Sequence, residues 1–221
     1  MTREEILSHV DHTLLKPEAT WPQIQTLCDE AIANHTASVC INTCYVKQAV
    51  EYMAGRIPVC CVVGFPLGAM DTASKCFEAK TAVENGAEEV DMVMNLTALK
   101  SQEFSYIKEE LTAVREAIPT AILKVIIEAP HLTEAEIRQA VELCIEARAD
   151  YAKTSTGWYP EYPSTVEQVR IMSREAAGRI QIKAAGGIRS LETIQEMQKA
   201  GCSRFGMGMR SVQNLIKSIY K

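Results

Sequence analysis

Eight short runs rich in β-branched residues recur along this chain, and stretches of helical period separate nearly all of them. They lie at 10–15, 38–42, 59–64, 89–95, 122–128, 150–154, 180–184 and 203–206. Parallel strands need a crossover between them, and a helix supplies it, so the alternation predicts a parallel α/β fold. Eight units in 221 residues, with no GxGxxG motif after the first run, favour a closed (β/α)8 TIM barrel over an open dinucleotide-binding sheet. Helix starts are marked: Thr133 and Glu136 have the spacing of a capping box, Ser164 or Thr165 precedes one apolar-periodic stretch, and Ser190 precedes another. Glycines and prolines fall at the junctions, and no linker or low-complexity tract divides the chain, so residues 1–221 read as one domain.

A barrel of this kind carries its chemistry at the carboxyl ends of the strands, so the polar residues that close each run should converge. These are Asp11 and Thr13, Cys40 and Asn42, Asp91 and Asn95, Lys124 and Glu128, Lys153, and Lys183. Lys153 and Lys183 stand out, because each sits in an apolar run that breaks at once into glycine. Burying an ammonium group is costly, so such a lysine is either paired or kept partly neutral. A neutral lysine is a nucleophile, and two facing one pocket are expected to lower each other's pKa. It condenses with an aldehyde or ketone to an iminium, which stabilises a carbanion at the neighbouring carbon. Asp91 beside them is suited to moving protons, directly or through water.

Composition removes several other classes. Lys and Arg number 23 against 28 Asp and Glu, and no basic run is present to grip phosphate backbones, so nucleic acid is not an expected partner. No stretch is long and apolar enough to span a bilayer and the first residues lack a signal core, so the protein is expected to be soluble and cytoplasmic, with no membrane partner. The eight cysteines fall mostly inside apolar patterns and read as reduced core thiols. Cys40 and Cys44 are four apart, but no CxxC or close histidine pair completes a metal ligand set, so neither a metal nor another cofactor is expected.

Six ordered motifs carry a resemblance over nearly the whole chain: Asp11-His-Thr-Leu-Leu-Lys-Pro17, Val62-Val-Gly-Phe-Pro-Leu-Gly68, Glu89-Val-Asp-Met-Val93, Lys124-Val-Ile-Ile-Glu128, Lys153-Thr-Ser-Thr-Gly157 and Lys183-Ala-Ala-Gly-Gly-Ile-Arg189. In these the chain resembles the deoxyribose-phosphate aldolase family. The resemblance implies a metal-free class I aldolase on a TIM barrel, reversibly splitting 2-deoxy-D-ribose 5-phosphate into acetaldehyde and D-glyceraldehyde 3-phosphate. It implies Lys153 as the Schiff-base lysine, Lys183 as the lysine that tunes it, and Asp91 as the proton-relay carboxylate. Asp11 and Thr13 match the family's substrate-facing positions on strand one, and Cys40, Lys124, Thr156, Gly157, Gly186, Gly187, Gly206 and Arg210 are read beside them as further substrate-binding positions. The partners implied are small aldehydes and sugar phosphates, with a homodimer as the assembly the family often shows.

The chain departs from the family pattern after the last run. Where the family places two phosphate-holding serines, Gly208 and Met209 stand here, and Arg210 or Ser211 is left as a new donor. The aromatic segment Trp158-Tyr-Pro-Glu-Tyr-Pro163 replaces a small, glycine-rich loop and is expected to narrow the pocket mouth. Thr43 stands where the family often has proline, and Pro130 and His131 follow strand five. An aldolase of the same mechanism with an unphosphorylated or different acceptor is therefore an alternative, and a non-catalytic binding barrel a weaker one. His12 reads as a packed, hydrogen-bonded histidine and Lys16 as a loop cation. Met207 and Met209 serve equally as gap-fillers or substrate contacts. The C-terminal stretch 211–221 is amphipathic and closes the outer ring, with Tyr220 more simply outside the site than in it.

Overall fold

The computed structural model describes residues 3–219. Eight parallel strands close on one another in sequence order, β1 pairing with β8. They are β1 (Val10–Leu14), β2 (Ser38–Ile41), β3 (Val59–Val63), β4 (Glu89–Val93), β5 (Ile122–Ile126), β6 (Tyr151–Lys153), β7 (Gln181–Ala185) and β8 (Arg204–Gly208). All eight predicted runs are strands, and the fold is the expected TIM barrel. Several end earlier than the sequence suggests. Asn95 is already the cap of a helix, accepting the Ala98 amide at 3.1 Å, and Glu128 has turned into the left-handed region at φ 51°.

The outer ring contains α2 (Trp21–Asn34), α3 (Val46–Met53), α4 (Thr72–Glu84), α6 (Phe104–Ala117), α7 (Glu134–Glu146), α8 (Val166–Ala176), α9 (Leu191–Lys199) and α10 (Met209–Ile219). Two short helices, α1 (Arg3–Leu7) and α5 (Leu96–Lys100), were not apparent from the periodicity, since about one turn carries too few residues to show a period. Tyr220 lies outside the described residues. Among those described, no helix is long and apolar enough to cross a membrane.

Helix starts follow local chemistry. Thr133 and Glu136 form the expected capping box on α7, Ser190 caps α9, and Thr165 with Gln168 caps α8. Ser164, the alternative cap, instead bonds the Thr154 hydroxyl at 2.8 Å and the Ala185 carbonyl at 2.5 Å, tying β6 to β7. Replacing Thr133 by alanine orphans an amide and is expected to cost about 1 kcal/mol, read as a lower urea midpoint at unchanged slope.

Side chains alternate across each strand, and this separates two cores. Val90 and Met92 on β4, and Leu123 and Val125 on β5, pack outward into a continuous apolar layer beneath the helices. Every residue of β2, β3 and β4 is buried, as expected for strands covered on both faces. His12 faces this layer, fully buried, with Nε2 2.8 Å from Glu30 on α2. The barrel interior is different. Instead of the bulky aliphatic filling usual for the fold, it holds Asp11, Glu89, Asp91, Lys124, Lys153, Lys183 and Arg204, joined by ion pairs.

Candidate active site

Asp91 sits at the centre of this polar interior. Its Oδ2 accepts hydrogen bonds from Lys153 Nζ at 2.6 Å and Lys183 Nζ at 2.5 Å. Its Oδ1 accepts from Lys124 Nζ at 2.8 Å and from the Cys60 thiol at 3.2 Å. Strand register produces the convergence, because Asp91 lies opposite Lys124 and Lys153 opposite Lys183 on neighbouring strands. A layer below, Arg204 donates to Asp11 at 2.5 Å and to both oxygens of Glu89 at 2.9 Å. Glu89 also pairs with Lys124 at 2.6 Å, and Asp11 with Lys183.

This arrangement revises the expectation of a depressed pKa for Lys183. Burial alone would push the Lys183 ammonium down, but Asp11 and Asp91 outweigh it and hold its pKa above the ordinary lysine value. Lys124 is raised in the same way by Asp91, Cys60, Asp11 and Glu89. Burial would raise the Asp91 carboxyl, and the charges of Lys124, Lys153 and Lys183 hold it well below the usual carboxylate range. Fully ionised, the cluster sets three carboxylates against four cations. When one amine gives up its proton the two signs balance.

Above the cluster opens a cavity of about 720 Å³, and Lys153 is the member of the ion-pair network that lines it. Thr13, Thr156, Gly157, Gly186, Gly187, Gly206 and Arg210 line it too, as the sequence reading placed them. Asp11, Cys40 and Lys124, read there as substrate-binding, do not line it. They are buried to 1% exposure or less. Asn42 and Asn95 do not join the convergence: Asn42 donates to the Leu15 carbonyl at 3.4 Å, and Asn95 caps α5. Glu128 serves the β6 loop, accepting the Thr156 hydroxyl at 2.5 Å.

Of the aromatic segment, Trp158 lines the cavity, together with Phe65. Trp158 meets Phe65 edge-on at 6.0 Å, and His131 packs against Tyr159 and Tyr162. Gly187 has φ 81°, and a Cβ there would fall 2.5 Å from Pro163, so glycine lets this loop close on the β7 turn. Met207 and Met209 both reach the cavity, Met207 from an otherwise buried position. Lys16 is an exposed rim cation near Glu18 at 3.9 Å.

Sequence reasoning missed Cys60, Glu89 and Arg204 as members of the cluster. For Glu89 a signal existed, since it stands two residues before Asp91 and shares its face. The cysteines are free thiols. Burial pushes Cys28 up to about 11 and Cys202 up to about 12, whereas unfolded thiols ionise at roughly 8.5. A raised folded pKa contributes stability below the unfolded value that is lost as pH rises, so Tm is expected to fall between about pH 9 and 11 in a reducing buffer.

A (β/α)8 barrel whose buried lysines converge on one carboxylate under an open cavity is the architecture of a barrel enzyme with an amine at its centre. The profile of the DeoC/LacD aldolase family matches residues 6–216. A deoxyribose-phosphate aldolase of Streptococcus agalactiae is 45% identical over 206 residues, 93% of this chain and 92% of the relative. The solved aldolase QR15 superposes with a TM-score of 0.91 at 41% identity, covering 97% of this chain and 96% of that one. The deoxyribose phosphate aldolase of Aeropyrum pernix, described as a unique tetramer, gives 0.89 at 30% identity, covering 100% and 93%. The chain belongs to the DeoC/LacD family of aldolases, and is therefore a carbon–carbon lyase.

Proposed function

We propose that this aldolase reversibly cleaves 2-deoxy-D-ribose 5-phosphate to acetaldehyde and D-glyceraldehyde 3-phosphate, with Lys153 as the Schiff-base nucleophile. The observation that carries the assignment to Lys153 is access: among the three lysines bonded to Asp91, it alone lines the cavity. Its proton is relayed by Asp91 Oδ2, 2.6 Å away, to water in the cavity, and Lys183, on the same oxygen, holds that carboxylate in place. The free amine adds to the C1 aldehyde, and loss of water gives the iminium. Removal of the C3 hydroxyl proton then breaks the C2–C3 bond. Its electron pair moves into the iminium as an enamine, and glyceraldehyde 3-phosphate leaves. Protonation of the enamine carbon and addition of water release acetaldehyde and the free amine. Asp91 is the general acid–base within reach of Lys153.

The substrate class is supported by the names of the relatives and by the cavity rim. Lys16, Arg189 and Arg210 all line the cavity, and so do Gly186, Gly187 and Gly206. These cations supply charge for a phosphate where the family's serines are absent, which supports the phosphorylated acceptor over an unphosphorylated one. Arg210→Ala is expected to raise KM for the 5-phosphate by about tenfold with kcat nearly unchanged, an exposed charge-assisted contact being worth roughly 1.5 kcal/mol. An unchanged ratio of rates on deoxyribose with and without phosphate would remove Arg210 from this role. The cytoplasm, where thiols stay reduced, suits the free cysteines. A homodimer is part of the reading, supported by the tetrameric relative and the exposed side chains of Leu67 and Phe77. Light scattering that showed only the monomer mass would remove it.

A further inference from the structure

The thiols of Cys40 and Cys60 and a carboxylate oxygen of Asp91 lie within 4.8 Å of one another. Cys40 and Cys60 are register partners on β2 and β3, so the pairing is invisible in the linear spacing that argued against Cys40 with Cys44. All three residues are buried, and the Cys60 thiol already donates to Asp91 at 3.2 Å. A tetrahedral zinc ion with Zn–S near 2.3 Å and Zn–O near 2.1 Å holds its donors roughly 3.6 to 3.8 Å apart. A small inward movement of three side chains therefore completes such a set.

We propose that Cys40, Cys60 and Asp91 form a binding site for a thiophilic divalent cation, Zn2+ or Cd2+, whose occupation stops the aldol reaction. Metal ligation needs thiolates, so two protons leave as the cation enters. The exchange leaves the net charge of the buried cluster unchanged, which is what permits a divalent ion beside Lys124. Two sulfurs and one oxygen suit soft and borderline cations and disfavour Mg2+ and Ca2+, which take oxygen sets. A water completes the fourth position. A cation on Asp91 withdraws its charge from Lys153 and Lys183, both of which it anchors. Lys153 then loses its proton acceptor. The inhibitory half of the proposal rests on the Schiff-base reading, whereas cation binding does not. Thr13, beside Cys40 on the neighbouring strand, lines the cavity, so the cation enters from the substrate side and inhibition develops with time.

The test is a Cd2+ titration of the whole protein in a Cys44→Ser background, which removes the exposed cysteine. The thiolate-to-cadmium absorption band in the ultraviolet is followed alongside deoxyribose 5-phosphate cleavage. The expected result is one equivalent bound with the intensity of two thiolates, a slow loss of activity, and recovery on adding EDTA. Cys40→Ala and Cys60→Ala are each expected to weaken both the band and the inhibition by at least about tenfold, each variant scaled to its own metal-free rate. Should Cys60→Ala fail to fold, Cys60→Ser keeps the shape and removes the soft ligand. A missing band at stoichiometric Cd2+, or one that survives both substitutions, overturns the site. A saturated band with full activity overturns the inhibitory role. Absence of cleavage in the metal-free control would instead count against the functional reading, while the absorption titration would still report on the site.

Discussion

Lys153→Ala is expected to abolish turnover, by on the order of 10⁴- to 10⁶-fold, while leaving a folded barrel. The loss is that of a covalent nucleophile, for which the remaining site can offer only binding and orientation. Folding survives because Asp91 keeps Lys183 and Lys124 as partners when Lys153 is gone. The substitution also brings the cluster to three carboxylates and three cations, so no buried charge is stranded. A purified variant with unchanged Tm and no measurable cleavage is the predicted combination. Residual turnover within about a hundredfold of wild type would move the nucleophile elsewhere, because general acid–base assistance alone accounts for effects of that size.

Asp91→Asn is expected to fail on both counts. An amide holds the same volume but carries no charge, so the buried cluster is left with two carboxylates against four cations. Removing one partner of a buried ion pair costs about 3 to 5 kcal/mol, and three lysines share this one. The amide also cannot receive the Lys153 proton, and the expected rate loss is about 10²- to 10⁴-fold. The two effects separate experimentally. Chemical denaturation reads the first, and single-turnover kinetics on the folded fraction reads the second. Wild-type stability together with a lowered rate would mean that Asp91 acts as a proton carrier without holding the cluster together.

The barrel was legible in the sequence because strand and helix signals are local. Short β-branched runs, the capping box at Thr133, and glycine at the strand ends each need only a few neighbouring residues. Lys153, Lys183 and Asp91 were legible for a related reason, since charge in a buried strand is conspicuous wherever the strand ends up. What stayed hidden depends on closure. Arg204 meets Asp11 only because β8 pairs with β1, and Cys40 meets Cys60 only through the register of β2 with β3. The electrostatic expectation was overturned for the same reason. Two lysines seen alone repel, and the carboxylates placed among them by register reverse the sign for Lys183. The ion pair of Lys75 with Glu110 at 2.8 Å, fully buried behind β4, left no trace in the periodicity, because the two residues lie on different helices and meet only through packing.

The central claim is that access to the cavity makes Lys153 the reacting amine among three buried lysines. Borohydride reduction in the presence of acetaldehyde fixes the transient imine, and peptide mapping then locates the added two-carbon unit. The account predicts one adduct per chain, on Lys153, at acetaldehyde concentrations where surface lysines remain unmodified. An adduct on Lys183 or Lys124, or none above the level of surface lysines, would contradict it.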